Sequence, residues 1–183
     1  MLRARGVKYG FRTHVVRYAK VHEDVVSSSR IRSLLYRGRV CEASSMLGRA
    51  YHISGTVIKG AGRGGPLLNT PTANITTPNE LIPREGVYAV RVSFNSQHFP
   101  GCVYDGVANI GTNPTFGEAP INCEVHLFGF NENLIGENLR VHFIDRIREE
   151  KKFASVRELK DHIDNDIRRA KRILSSRKDR LFL

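Results

Sequence analysis

The chain has 183 residues, of which 40% are hydrophobic, and it carries a formal net charge of +11. This length is sufficient for one domain with a substantial core and a small appendage. The sequence has no run of about eighteen apolar residues and no signal-peptide core, which argues against a membrane-spanning or secreted protein. Its three cysteines are far apart and lack CxxC spacing, which favours free thiols in a reducing cytoplasm over disulfides or a zinc site.

The positive charge is unevenly distributed. Residues 1–50 hold 11 Lys/Arg and 3 Asp/Glu, whereas the rest of the chain holds 18 and 15. A basic excess of this size is typical of proteins that bind nucleic acids. A small basic β-barrel that binds RNA or single-stranded DNA is therefore one hypothesis. The excess lies outside the strand-rich part, and no strand face alternates basic and aromatic residues, which counts against that hypothesis.

A helix is predicted to begin at the serine run Ser27–Ser29. The segment Val26–Arg32 places serines directly before an apolar pattern at helical spacing that runs through Leu34, Leu35, Ala43 and Leu47. A serine at this position can cap the helix, and the charged face that follows would be solvated.

A glycine-rich run, Gly60–Gly65, comes about ten residues before the sequence Pro71-Thr72-Ala73-Asn74. Glycines let a backbone approach phosphate oxygens, and the side-chain oxygens of Thr72 and Asn74 are hard ligands of the kind that Mg²⁺ takes beside a nucleotide. No Gly-Lys-Ser/Thr follows, so this is not a Walker P-loop, and no helix pattern opens as in a dinucleotide fingerprint. A phosphate and magnesium site or an ordinary surface loop both fit the pattern by itself.

The remainder of the chain is rich in predicted strands and ends in a predicted helix. The strands contain β-branched and aromatic residues and are separated by glycine, proline and asparagine turns. Ser155–Leu174 has apolar residues at helical spacing, with Ser155 as the expected N-cap. This order predicts an antiparallel β-barrel, closed or partly open, with a helix packed against it. The predicted strands are Tyr51–Lys59, Gly86–Asn95, His98–Asn109, Ile121–Phe130 and Asn138–Arg146.

The fourth of these predicted strands contains Glu124, whose carboxylate is a candidate for proton transfer. Alternation puts Glu124, His126 and Phe128 on one face, and Val125 and Leu127 on the other. Such a carboxylate can be held rigidly and can accept a proton, although a surface glutamate at a strand start would give the same pattern. No role is assigned to His126, and the glycine and proline of Asn109–Thr115 predict a tight turn.

Six blocks in collinear order resemble the riboflavin kinase family, in particular the kinase half of bacterial bifunctional riboflavin kinase/FMN adenylyltransferases. The resemblance covers roughly residues 49 to 183 and implies a mainly β fold, a six-stranded Greek-key barrel with a C-terminal helix. The blocks are GAGRGGPLLNTPTANI, GVYAV, GVANIGTNPTF, EVHLFGF, IREEKKF and the amphipathic C-terminal segment.

The resemblance also implies an activity and the residues that perform it. The activity is transfer of the ATP γ-phosphoryl group to the riboflavin 5′-hydroxyl with Mg²⁺, giving FMN and ADP. Glu124 is the implied catalytic base, and Thr72 and Asn74 are the implied metal ligands. The phosphates are implied to lie at Gly60, Gly62, Arg63, Gly64 and Thr72. The flavin side is implied to consist of Asn109, Gly111, Thr112, Asn113, Arg148 and Phe153.

The serine-rich segment at the N-terminus resembles the last motif of the FMN adenylyltransferase domain, in which the helix-start serine and an arginine serve nucleotide phosphates. No H-x-G-H type motif occurs in the chain. We therefore expect residues 1–47 to be the tail of a truncated adenylyltransferase domain and residues 48–183 to be a riboflavin kinase domain. The chain is then expected to make no FAD from FMN, and residues 1–47 to be dispensable for the kinase. An inactive remnant of a bifunctional FAD synthetase is a further alternative.

Overall fold

The fold comes from a computed structural model that describes residues 1–14, 16–21, 23–60, 71–95, 98–112 and 121–177. Within these residues the helices are α1 (Leu2–Tyr9), α2 (Ser28–Tyr36), α3 (Val40–Leu47) and α4 (Val156–Ser176). The strands are β1 (Lys20–Val21), β2 (Asp24–Val25), β3 (Tyr51–Ile58), β4 (Ala73–Thr76), β5 (Gly86–Phe94), β6 (Val103–Thr112), β7 (Ile121–Leu127) and β8 (Asn138–Arg148).

Six strands close into an antiparallel barrel in the order β3-β4-β7-β6-β5-β8, while β1 and β2 form a separate hairpin. The mainly β class, the six-stranded barrel and the C-terminal helix are therefore confirmed. Ser155 caps α4 as predicted, because its side chain accepts a hydrogen bond from the backbone N–H of Glu158.

Two predictions about local structure were wrong. Ala73–Thr76 was interpreted only as a ligand-binding loop, but it forms the short strand β4 between β3 and β7. The predicted strand His98–Asn109 instead runs from Val103 to Thr112, so that Asn109, Gly111 and Thr112 lie in a strand and not in a turn. Both segments are strands because each pairs with two flanking strands, β4 with β3 and β7, and β6 with β5 and β7, which local turn propensity does not report.

Strand alternation separates an inner face from an outer face of the barrel. Inside, Tyr88, Val90 and Phe143 belong to a large core cluster. Outside, Val87 and Ala89 pack with Ile147 and with residues of α4 in a second cluster. The predicted alternation of β7 is confirmed, since Val125 and Leu127 are buried in the inner core and the residues between them face outward. The helix therefore covers the outer surface of the barrel wall.

Helices α2 and α3 pack on the barrel. Leu34, Leu35, Val40 and Ala43 are buried and belong to the same core cluster as the barrel interior. Gly38, with φ +72, ends the predicted continuous helix pattern and lets the chain turn between α2 and α3. Residues 28–47, which the sequence motif assigns to the tail of another domain, therefore share their core with the barrel. None of the described helices is long and apolar enough to cross a membrane.

Candidate active site

A row of directly paired residues crosses five strands on the outer face of the barrel. Asn74 on β4 pairs with Glu124 on β7, and Glu124 pairs with Asn109 on β6. Asn109 pairs in turn with Val87 on β5, which pairs with Arg148 on β8. Neighbouring strands lie about 4.8 Å apart, and paired residues share a face. Four predicted site residues from four separate sequence blocks thus come together in one row.

A cavity of about 390 Å³ lies over this row, between the barrel wall and α4. The walls are largely apolar, with Val87 and Val107 from the barrel and Leu159, Ile163 and Ile167 from the helix. The size is that of a small-molecule site, and apolar walls with a few polar groups suit a planar heterocycle. The polar and aromatic residues that complete the lining are Thr72, Asn109, Glu124, His126, Arg148, Glu150, Lys151, Phe153 and Asp166.

The carboxylate of Glu124 has a defined hydrogen-bond partner. Asn122 donates from Nδ2 to Oε1 of Glu124 at 2.8 Å. The two residues are two positions apart in β7, so both side chains lie on the outer face. Asn122 was not predicted as a site residue. It could have been, because residues two positions apart in a strand share a face, so an amide at this spacing can reach the carboxylate.

The far end of the cavity is organised by an ion pair between strand and helix. Arg148 binds Asp166, with Nη2 at 2.8 Å and Nε at 2.9 Å from Oδ2. Asp166 is only 3% exposed, and the guanidinium of Arg148 also lies 5.5 Å from the ring centroid of Phe153. The structure thus brings the predicted residues Arg148 and Phe153 together. Sequence analysis missed Asp166, although a carboxylate on the apolar face of α4 needs a partner when it is buried.

Gly111 lies next to a third carboxylate of the same cavity, that of Glu150. A Cβ at Gly111 would lie 2.5 Å from Oε1 of Glu150, so a larger residue at this position would displace that carboxylate from its present place. Glu150 makes no hydrogen bond or ion pair with any residue that the structure describes. Gly111 thus lies against the side chain of Glu150, a residue that was not singled out from the sequence.

A second cavity of about 290 Å³ adjoins the first at Thr72, which lines both. Gly60 lines the second cavity, and a Cβ there would lie 2.0 Å from Nδ2 of Asn74, so the backbone of Gly60 lies against that amide. His126 donates from Nδ1 to the carbonyl oxygen of Pro71 at 2.9 Å, which ties the loop before β4 to β7. The glycine-rich segment and the Thr-Ala-Asn motif are therefore adjacent in space at Gly60.

The remaining predicted site residues divide into two groups. Thr112 is the last residue of β6, next to Gly111 in the chain. Four others fall outside the described residues, namely Gly62, Arg63, Gly64 and Asn113.

The donors near Thr72 fit a magnesium ion that is bound mainly through a nucleotide. No group of three or more His, Cys, Asp or Glu that could hold a metal occurs among the described residues. Mg²⁺ bound with a nucleotide needs few protein ligands, because phosphates and water complete its octahedron. The hydroxyl oxygen of Thr72 and the amide oxygen of Asn74 are suitable ligands of this kind. Glu124 is the strand partner of Asn74 and brings its carboxylate to the same face.

The helix that closes the cavity is fixed to the barrel at its C-terminal end. Arg91 on β5 is buried and donates from Nη2 to the carbonyl oxygen of Leu174 at 2.9 Å, while its Nε lies 3.0 Å from Asp105. Arg177 reaches back to the carboxylate of Asp145 at 2.9 Å. Cations at the C-terminus of a helix satisfy its free carbonyls and its dipole.

The family model of riboflavin kinase (Flavokinase) matches residues 47–174. The chain belongs to the riboflavin kinase family. The match includes the six barrel strands and most of α4, and the paired row and both cavities lie within it.

Similar proteins include two bifunctional riboflavin kinase/FMN adenylyltransferases. The one from Haemophilus influenzae is 37% identical over 96% of this chain and 56% of its own length. The one from Bacillus subtilis is 40% identical over 82% of this chain and 47% of its own length. This riboflavin kinase family member thus spans about half the length of the curated relatives it matches.

Two solved structures resemble the fold. A crystal structure described as a macrolide-efflux protein from Streptococcus pneumoniae has a TM-score of 0.81 at 32% identity, over 92% of this chain and 54% of that one. Riboflavin kinase from Trypanosoma brucei has a TM-score of 0.50 at 22% identity, over 68% of this chain and 76% of that one. The second likeness concerns the barrel fold alone.

Proposed function

We propose that this chain is a riboflavin kinase, which transfers the γ-phosphoryl group of ATP to the 5′-hydroxyl of riboflavin and releases FMN and ADP. The observation that carries the proposal is the position of Thr72 between two cavities, with Glu124 in the lining of the first. An acceptor in the first cavity and a nucleotide in the second would meet at that point. The activity printed in the names of the relatives agrees with this arrangement.

The first cavity suits the flavin. Val87, Val107 and the apolar face of α4 can contact an aromatic ring system, and Arg148 and Phe153 lie at its end. The polar ribityl chain would extend along the paired row towards Glu124. Its 5′-hydroxyl would then lie near both the carboxylate and Thr72.

Glu124 is assigned as the proton acceptor. The hydroxyl oxygen attacks the γ-phosphorus, the bond from that phosphorus to the β–γ bridging oxygen breaks, and the hydroxyl proton passes to the carboxylate. Because Asn122 occupies Oε1 of Glu124, Oε2 is the oxygen left for the substrate. General-base assistance of this kind contributes roughly 10²- to 10⁴-fold in rate.

The nucleotide is assigned to the second cavity, with its phosphates towards Gly60 and Thr72. Thr72 and Asn74 would hold the accompanying Mg²⁺, which neutralises charge on the phosphates when it is bound. The close approach of Gly60 to the amide of Asn74 keeps the phosphate-side backbone and the metal-side group together. Gly62, Arg63 and Gly64 remain proposed phosphate ligands from their sequence alone.

The nucleic-acid-binding alternative has less support from the site. Glu124, Glu150 and Asp166 place three carboxylates in the lining of the first cavity, which is unfavourable for a phosphate backbone. We also propose a cytoplasmic location, because all three cysteines are free thiols. The assignment of residues 1–47 to an adenylyltransferase domain stays a proposal that rests on the sequence motif.

The direct test is to incubate the purified chain with riboflavin and MgATP and to separate the flavins by chromatography. FMN should accumulate with the wild type and should be greatly reduced with Glu124→Gln. A folded wild-type chain that forms no FMN from saturating riboflavin and MgATP would refute the proposal. Omitting Mg²⁺ from a parallel reaction tests the metal requirement separately.

A further inference from the structure

The segment that follows β8 lines one end of the first cavity, the one assigned to riboflavin as phosphate acceptor. Most residues of this segment are exposed. Glu150 and Lys151, two and three positions after Arg148, line the cavity, and both are exposed. The residue between Arg148 and Glu150 is Glu149, which points away from the cavity into an ion-pair network. Glu149 is therefore placed to hold the chain on which the cavity residues are carried.

Two arginines hold Glu149. Its Oε1 lies 3.3 Å from Nη2 of Arg84 and 3.6 Å from Nη1 of Arg146. The backbone carbonyl of Glu149 also accepts a hydrogen bond from Nη1 of Arg148 at 2.9 Å. The side chain of Glu149 thus links the segment after β8 to Arg84 and Arg146, neither of which lines the cavity.

The guanidinium of Arg146 is itself held by close packing. Its side chain is 17% exposed, and its Nη2 donates to the carbonyl oxygen of Glu85. It lies between two glycines: a Cβ at Gly38 would lie 2.6 Å from Cδ of Arg146, and a Cβ at Gly86 would lie 2.9 Å from its Nε. Gly38 forms the turn between α2 and α3, so this turn packs directly on Arg146.

The second cation depends on the same helices. The backbone N–H of Arg84 donates to the carbonyl oxygen of Leu35, close to the end of α2, at 3.0 Å. The hydroxyl of Tyr88, which is fully buried in the core, donates to the carbonyl oxygen of Arg84. Both cations that bind Glu149 therefore take their positions from the α2–α3 turn and its contacts with the barrel.

We propose that the α2–α3 turn positions the acceptor site through Arg146 and Glu149, so that Arg146 is a positioning residue for flavin binding. The proposal rests on the proposed function for the identity of its ligand, riboflavin. It goes beyond that function because Gly38, in the turn that packs on Arg146, lies outside the residues 47–174 that match the family model. Substrate contact is not required of Arg146. Its role is to hold the segment that carries Glu150, Lys151 and Phe153.

The turn offers a matched pair of variants. Gly38→Ala introduces a Cβ at φ +72 that clashes with Arg146, whereas Gly48→Ala introduces one at φ +70 with no atom within 4 Å. Both variants carry a similar backbone strain, so their difference reports the contacts at Gly38, which are with the side chain of Arg146 and, at 3.2 Å, with the hydroxyl of Tyr88. Glu149→Gln provides a second route that leaves the core intact, and Glu42→Gln is its control, because Arg39 is the partner of the exposed Glu42 within the described part of the chain.

Riboflavin affinity, the kcat and KM for each substrate, and amide exchange of residues 149–153 are measured on these variants and on Arg146→Met. Gly38→Ala and Arg146→Met should weaken riboflavin binding by about fivefold or more, and Glu149→Gln, which removes only exposed ion pairs, by about two- to fivefold. They should leave the KM for ATP near its wild-type value and speed exchange of the segment. Gly48→Ala and Glu42→Gln should match the wild type in these readouts.

Wild-type riboflavin affinity and exchange in Arg146→Met and Glu149→Gln would overturn the inference, even if Gly38→Ala failed to fold. If the wild type itself does not bind riboflavin, the proposed function fails and the assignment of the ligand fails with it. In that case the exchange rates decide the structural part separately. Unchanged exchange in Glu149→Gln and Arg146→Met would refute that part as well.

Discussion

Asn122 fixes Glu124 by a hydrogen bond of 2.8 Å from its amide Nδ2 to one carboxylate oxygen. Under the proposed function, Oε2 is the carboxylate oxygen that would face the substrate hydroxyl. The hydrogen bond lies within one strand, so it is maintained by the barrel and not by a loop. The carboxylate that the sequence singled out is thus held in place by a neighbour that the sequence did not single out.

Glu124→Gln should lower kcat by roughly 10²- to 10⁴-fold, because it keeps the shape of the side chain and removes the proton acceptor. Riboflavin affinity and the thermal unfolding temperature should stay close to those of the wild type. All three are measured on one preparation. A stable, flavin-binding Glu124→Gln variant with nearly normal kcat would eliminate Glu124 as the base.

Asn122→Ala should have a smaller effect in the same direction, since it frees the carboxylate without removing it. We expect kcat to fall by about tenfold, in line with the loss of one hydrogen bond to a charged group. In the Glu124→Gln background the same change should add little, because the two residues act as one unit. Fully additive losses in the double variant would show that Asn122 acts independently of Glu124.

Asn74→Ala should impair the use of MgATP more than the binding of riboflavin. Asn74 lines neither cavity directly, but it pairs with Glu124 and lies against Gly60, on the side assigned to the nucleotide. The variant should need a higher Mg²⁺ concentration for half-maximal rate and should recover part of its activity when Mg²⁺ is raised. The proposed role of Asn74 would be abandoned if an active variant kept the wild-type dependence on Mg²⁺.

Two N-terminal deletions should behave differently. A chain that begins at Val26 loses α1 and the β1–β2 hairpin, in which Gly6 is the buried residue, and it should fold with a similar unfolding temperature. A chain that begins at Gly48 also loses four buried apolar side chains of the shared core, each of which contributes about 1–3 kcal/mol. That sum is comparable to the whole stability of a domain.

The shorter chain should therefore be unfolded or strongly destabilised, which circular dichroism and thermal melting can establish. This expectation replaces the earlier one that residues 1–47 are dispensable. Equal melting temperatures of the two deletions would contradict it.

Stability should fall in mild acid because of His142. Burial, together with the nearby His52 and Arg140, lowers the pKa of His142 from 6.5 to about 4. Between these values the unfolded chain binds a proton that the folded chain does not, so folding is fully favoured above about pH 6.5 and weakens as the pH falls towards 4. The loss from this group is at most about 1.4 kcal/mol per pH unit.

Urea unfolding at pH 7 and pH 5 measures the effect. In His142→Gln the difference between the two pH values should shrink, and in His14→Gln, where the histidine is exposed, it should persist. An unchanged difference in His142→Gln would assign the acid sensitivity to other groups.

Several features could be predicted from the local sequence because they depend on spacing alone. The N-cap at Ser155 and the helix that follows need only a serine and apolar residues every three to four positions. The outward position of Glu124 needs only the two-residue alternation of a strand. The six sequence blocks in collinear order, those around Thr72 and Glu124 among them, indicated the family.

Other features depended on contacts between residues that are far apart in the chain. β4 became a strand because β3 and β7 lie on either side of it, and Asp166 became a site residue because α4 folds over Arg148. The burial of α2 and α3 likewise depended on the barrel, whose core cluster includes their apolar side chains. Local patterns report which face of an element is apolar, whereas only the assembled barrel determines which other element covers that face.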